Sequence, residues 1–297
     1  MVPIAYLAKL GCRIVIVEKI LRDCINLINS LKGYMQNIMS FQLRKGPVAR
    51  LFTTTFLLML GFFSSGAIAA ELKLIASTGV YSVMQELIPG FEAKTGAKVV
   101  ASYDTSNIIL KRVQSGESAD LIILTRSAID NLVRQGTVAA NGVTDLAMSG
   151  VGIVVRSGEK HPNIKTSEDL KKTLLGAKSV AFTGTGASGI YFLSVADKLG
   201  IGAQVREKAV TPEGGHIAKI VAAGDAQLGV QMKSELLGVP GAEYIGPLPP
   251  ELQMNTVFTV GIFANSSNPA QAIELVRHLS APGQAPAYQK VGMDSPK

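Results

Sequence analysis

Cysteine is almost absent from this 297-residue chain: there are two, Cys12 and Cys24, and both precede residue 70. Beyond that point a disulfide framework, a Cys-based zinc site and a thiol nucleophile are all excluded. Histidine is scarce as well, with His161, His216 and His278 the full set. His161 precedes Pro162 in a polar loop and His278 sits in the last long helical segment, so both read as surface residues. Only His216 opens a helix beside a glycine-rich loop. Histidines and carboxylates never recur at ligand spacing, so no metal is expected. Ser188 lacks a G-x-S-x-G elbow and a matched Asp, which argues against a serine hydrolase. Excess charge is missing too, once the chain is divided. Eight of the 29 Lys+Arg and two of the 22 Asp+Glu lie within residues 1–70, leaving 21 basic and 20 acidic residues beyond. The formal charge of +7 belongs to the N-terminal region, and no nucleic-acid surface is expected.

That N-terminal region carries the most informative segment, RKGPVARLFTTTFLLMLGFFSSGAIAA over residues 44–70. Arg44, Lys45 and Arg50 form a cationic start, Leu51 to Phe63 an apolar stretch, and Ala67-Ile68-Ala69 a small-residue end. The order is that of a secretory signal peptide, cleaved after Ala69 or Ala70. A membrane-spanning helix needs about 20 apolar residues, more than this stretch supplies. No cysteine follows it, so no lipid anchor is expected. Met39 stands just ahead of the cationic stretch, so residues 39–70 read as the leader. Residues 1–38 read as an extension ahead of the working start. The rival there is an amphipathic segment, IVIVEKILRDCINLINSL, with apolar residues at helical spacing. The mature protein is expected in the periplasm.

From residue 71 short apolar runs alternate with helical patterns, the signature of an α/β fold with parallel strands. Strands are expected at 72–76, 98–103, 121–124 and 150–157, with helices at 80–94, 108–114 and 127–134. A second set follows, with helices at 167–174, 188–199 and 215–223 and strands at 178–182, 205–210 and 226–231. The chain then returns through Pro247-Leu248-Pro249-Pro250 to a strand at 256–263 and a helix at 269–279. This order predicts two lobes, each a mixed, mostly parallel sheet flanked by helices. Residues 71–153 with 255–297 would form one lobe and 154–254 the other.

Four loops follow strand ends, where open α/β sheets bind ligands. They are Ala76-Ser77-Thr78-Gly79, Asp104-Thr105-Ser106-Asn107, Thr183 to Gly189, and Pro212-Glu213-Gly214-Gly215. Each is rich in hydroxyls or glycine and opens a predicted helix, whose free N–H groups attract anions. Taken singly, each is a capped helix start. Four together predict a cleft lined by hydroxyls and amides. The TGTGASG run also fits G-x-G-x-x-G, but no acidic residue ends a following strand at the distance a dinucleotide site needs. Arg126, directly after the third strand, is either a solvated helix-start residue or a fork for a carboxylate.

These residues resemble the molybdate-type substrate-binding proteins of ABC transporters. The resemblance runs over 71–293 and rests on LKLIASTGVYSVMQELIPGFEAKTGAKV, SGESADLIIL, GASGIYFLSVADKLG, IAKIVAAGDAQLGV and AIELVRHLSAPGQAPAYQKVGM. It implies a type II periplasmic binding protein, monomeric, without cofactor or enzymatic activity. Such a protein closes on a small anion by hinge motion and delivers it to an inner-membrane permease. Matching by motif implies ligand contacts at Ser77, Thr78 and Gly79, at Ser106 and Asn107, at Ser188 and near Gly214. Two departures stand out. The family's tyrosine after the seventh strand is replaced by Gln231-Met232-Lys233, leaving room at Met232, and Arg126 stands where the family carries a small or acidic residue. Both point from molybdate towards a small carboxylate. The rival readings are a secreted enzyme using Ser188 or His216, and an exported adhesin or antigen on the same fold. The leader gives the first prediction. Mass spectrometry of the exported protein should find Ala70 or Glu71 at its N-terminus, and an intact Met39 end would contradict the reading.

Overall fold

The computed structural model describes residues 71–212 and 215–296, so the expected leader and extension, and Gly214, lie outside the described residues. In chain order the elements are β1 (Glu71–Ser77), α1 (Tyr81–Thr95), β2 (Lys98–Asp104), α2 (Ser106–Gln114), β3 (Leu121–Thr125) and α3 (Arg126–Arg134). Then come β4 (Val138–Arg156), α4 (Ser167–Gly176), β5 (Val180–Ala181), α5 (Ala187–Lys198), α6 (Gly202–Glu207), β6 (Ala209–Val210) and α7 (Ile217–Ala223). The chain ends through β7 (Leu228–Met232), α8 (Lys233–Leu236), β8 (Ala242–Pro247), β9 (Asn255–Phe263), α9 (Pro269–Leu279) and α10 (Ala285–Lys290).

The strands run side by side in the order β2-β1-β3-β9-β4-β7-β5-β6, with β8 also on β4. Strand β1 pairs in parallel with β2 and β3, and β5 pairs in parallel with β6 and β7. Between these parallel groups lie antiparallel β9 and β4. Strand β4 divides the sheet: up to Gly150 it pairs with β9, and from Val151 onward with β7 and β8. The result is the two-lobed α/β architecture expected from the element order. Strand β3 illustrates why: Leu121 to Leu124 are all fully buried, as a parallel strand covered by helices on both faces requires. Leu121 and Ile123 join one apolar cluster and Ile122 and Leu124 another, following the two-residue alternation of a strand.

Two expectations change. The strand foreseen at 150–157 is the tail of a 19-residue strand. Its first part, VAANGVTDLAMS, carries two register shifts against β9, which break the alternation that would have revealed it. Of the strand foreseen at 205–210, Ala209–Val210 is strand and Val205 to Glu207 end helix α6, with Ile201 and Val205 buried one turn apart and Arg206 forked onto Asp197 at 2.7 Å.

Asp120 fastens the first lobe. Its carboxylate accepts from the Lys73 N–H at 2.9 Å, the Ser266 hydroxyl at 2.7 Å, and the Ser267 and Asn268 N–H groups at 3.0 and 3.1 Å. Burial alone would raise its proton affinity, but these donors hold it below the ordinary value of 3.8. A depressed carboxyl contributes stability above its unfolded value and loses it as pH falls through the folded one. Asp120→Asn should therefore lower the unfolding free energy at pH 7 by about 1.5–3 kcal/mol in urea titrations. The parent should also lose stability more steeply than the variant below pH 4; parallel pH profiles would contradict this role.

Candidate functional site

Three helices of the fold aim their N-termini at one enclosed pocket. Thr105 and Ser106 begin α2, Thr125 caps α3 by accepting from the Ala128 N–H at 3.4 Å, and Gly186, Ala187 and Ser188 begin α5. The end of β1 adds Ser77 and Thr78, and the end of β7 adds Gln231 and Met232. Phe258 of β9 closes the apolar side. The hydroxyl residues Ser77, Thr105, Ser106, Thr183 and Ser188 are all buried. Among the described residues such a wall offers amides, hydroxyls and positive helix ends without one cationic side chain, groups that attract anions.

The pocket is small. Space open to the centres of water molecules is about 20 Å³ inside it, room for one or two waters. Ser106, Thr125 and Ala187 also line a wider groove of about 700 Å³, which adds Asn107, Arg126 and Tyr191. A ligand that seats one group in the pocket can therefore extend into the groove. The walls meet across the sheet division. Thr105 and Thr185 hydroxyls lie 3.1 Å apart, and the Ser234 hydroxyl donates to the Gly79 carbonyl at 2.8 Å.

Of the residues singled out in the sequence, Ser77, Thr78, Ser106, Ser188 and Met232 line the pocket. Gly79 sits behind the wall, where the Ser77 hydroxyl accepts its N–H at 3.3 Å and a Cβ would lie 2.3 Å from the Phe258 ring. Asn107 and Arg126 face the groove instead. Arg126 does not offer an open fork, because Asp130 holds its Nε at 3.0 Å and Asp145 its Nη1 at 2.9 Å. These two carboxylates hold its charge above the ordinary range. Gly214 lies outside the described residues. His216 is not in the pocket wall; its ring packs edge-on against Tyr81 at 5.6 Å, and burial lowers its proton affinity, with Lys219 adding to the effect.

Sequence reasoning missed Gln231 and Glu235. Gln231, 1% exposed, accepts the Ile217 N–H at 3.0 Å and donates to the Gly215 carbonyl at 3.0 Å and to Glu235 Oε1 at 2.9 Å. Glu235 lies in the pocket wall at 7% exposure. Burial raises its proton affinity to about 7, against the opposing hydrogen bonds of the Thr78 side chain and the Met232 backbone. The clue was the departure at 231–233: a glutamine ending a buried strand, with an acid four residues on.

The fold and this pocket define a two-lobed solute-binding protein of the type II periplasmic architecture. Residues 72–294 match the model for bacterial extracellular solute-binding proteins, and the chain belongs to that family. Aconitate isomerase of a Pseudomonas species is 32% identical over 228 residues, which cover 75% of this chain and 87% of that protein. Molybdate-binding protein ModA of Escherichia coli is 24% identical over 244 residues, 77% of this chain and 91% of that one. Among solved structures, the periplasmic molybdate-binding protein of Azotobacter vinelandii superposes with a TM-score of 0.66 at 18% identity, covering 76% of this chain and all of that one (100%).

Gly186 and Gly189 of the 183–189 loop serve close packing around the pocket, whereas a Cβ at Gly184 would meet nothing within 4 Å. A Cβ on Gly189 would lie 1.8 Å from the Thr183 carbonyl oxygen, a backbone atom that cannot step aside. Gly189→Ala should thus displace the start of α5 and cost about 1–3 kcal/mol. A calorimetric melting curve unchanged from the parent would show that the loop tolerates it.

Proposed function

We propose that this chain is the extracytoplasmic receptor of an ABC importer and that it closes on a small carboxylate anion in the pocket between its lobes. The observation that carries the reading is the convergence of three helix N-termini and five buried hydroxyl residues on one cavity. The proposed moving bodies are residues 71–153 with 255–297, and 154–254. Each supplies part of the wall, so a ligand touching both favours the closed state by its differential affinity. A carboxylate suits the site better than a compact tetrahedral oxyanion, because the pocket continues through Ser106, Thr125 and Ala187 into the groove. A second carboxylate there would compete with Asp145 for Arg126.

A second reading, isomerisation of an unsaturated tricarboxylate, is favoured by the likeness to aconitate isomerase. That chemistry moves one proton: a C–H bond breaks at the methylene carbon, the double bond shifts by one carbon, and a new C–H bond forms at the far end. It needs a group that takes and returns a proton near neutral pH, and Glu235 is such a group in the pocket wall.

Thermal-shift screening of the 71–297 protein against molybdate, sulfate and small carboxylates tests the first reading. A carboxylate at 100 times its dissociation constant should stabilise the protein by about 2.7 kcal/mol. Ser106→Ala with Ser188→Ala should abolish most of that shift, whereas an unchanged shift moves the ligand elsewhere. Tight molybdate binding with no response to carboxylates would refute the carboxylate assignment. Chromatography after incubation with trans-aconitate separates the second reading: accumulating cis isomer means turnover, and binding without it leaves a receptor.

A further inference from the structure

Glu235 is an unusual occupant of an anion site. The other described residues lining the pocket are neutral, so an anion bound there meets one acidic group at close range. Three helix ends of about half a charge each can offset between one and two negative charges. A ligand carboxylate uses most of that, and an ionised Glu235 beside it would be a second buried anion in a cavity with room for one or two waters. Two carboxyl groups in such proximity do not both ionise; the pair keeps one proton between them.

Resting on the proposed anion site, we infer that Glu235 is its specificity-determining acid: anion binding loads one proton onto the pair formed by the ligand and the Glu235 carboxyl, which then donates a hydrogen bond to the ligand. The geometry supports the role. Gln231 fixes one carboxyl oxygen by donating to Oε1 at 2.9 Å and is itself locked by Ile217 and Gly215, so the carboxyl is positioned before any ligand arrives. Among the described residues no cation contributes to the proton affinity of Glu235. Helix α8 packs against α1, β4, α7, β7 and β8. The titratable and charged groups on or beside these elements include Tyr81, Arg156, His216, Lys219, Glu243, Tyr244 and its own Lys233. None of them figures in setting the proton affinity of Glu235, which burial, Thr78 and Met232 determine. A carboxyl raised to about 7 is half charged at neutral pH and must take up a proton when an anion binds above it.

Titration calorimetry with trans-aconitate decides the matter, using buffers of different ionisation enthalpy at pH 8. The parent should take up close to one proton per ligand, and its affinity should fall towards ~10-fold per pH unit between pH 7.5 and 9. Glu235→Gln keeps an acceptor for Gln231 and a donor towards the cavity, yet cannot titrate. It should bind with buffer-independent heat and a flat pH profile. Buffer-independent heat and a flat profile in the parent overturn the inference alone, and this arm needs no variant to fold. Absence of binding by the parent even at pH 6 overturns the carboxylate site and this inference with it.

Discussion

The two lobes depend on how the backbone of Val151 is satisfied where β4 exchanges one partner strand for another. At that point β9 has just begun and can no longer hydrogen-bond to β4. The Gln253 side chain fills the gap, accepting the Val151 N–H at 3.1 Å and donating to its carbonyl at 2.9 Å, while the Leu248 N–H adds a bond at 3.2 Å. An unpaired backbone group in this position would cost as much as a lost hydrogen bond. The clasp ties the two strand crossings, near 150–152 and 253–255, to each other.

Everything polar about the pocket follows from that arrangement. Parallel strands deliver their C-terminal ends to the same edge, and the helices that follow them present their N-termini there. Ser77 and Thr125 cap the turns they precede, accepting the Gly79 and Ala128 N–H groups, and the other hydroxyl residues at these strand ends and helix starts line the same cavity. Cationic side chains are not needed in the wall, and Arg126 stands outside it, neutralised by Asp130 and Asp145. The exception is acidic rather than basic. Glu235 stays buried because Gln231 and Thr78 satisfy its oxygens, and its high proton affinity is the direct result of that burial.

The relatives aconitate isomerase and the molybdate-binding protein ModA carry the names of two different anions. A cleft built from helix ends holds negative charge of many shapes, so the scaffold does not select the anion by itself. Beyond the hydroxyl residues and helix starts, the described lining adds Gln231, Met232, Glu235 and Phe258. A receptor and an isomerase would differ by what the acidic group does with its proton, not by the fold around it.

The sequence by itself determined the alternation of elements, the buried strand Leu121–Leu124, the helix at 269–279 and the hydroxyl loops, because each is a local pattern of apolar spacing and capping residues. It also marked Ser77, Thr78, Ser106, Ser188 and Met232, which do meet in one pocket. Local pattern could not reveal residues 138–149 as strand, since bulges break their period and their partners, β9 and Asp294, are distant in the chain. Nor could it set Arg126 apart from the pocket, because Asp145 is brought to it by pairing of distant strands. Only the tertiary structure turned Glu235 from an ordinary acid in the chain into a buried carboxyl in the pocket wall. Burial is a property of everything packed around a residue, and no run of neighbours in the chain encodes it.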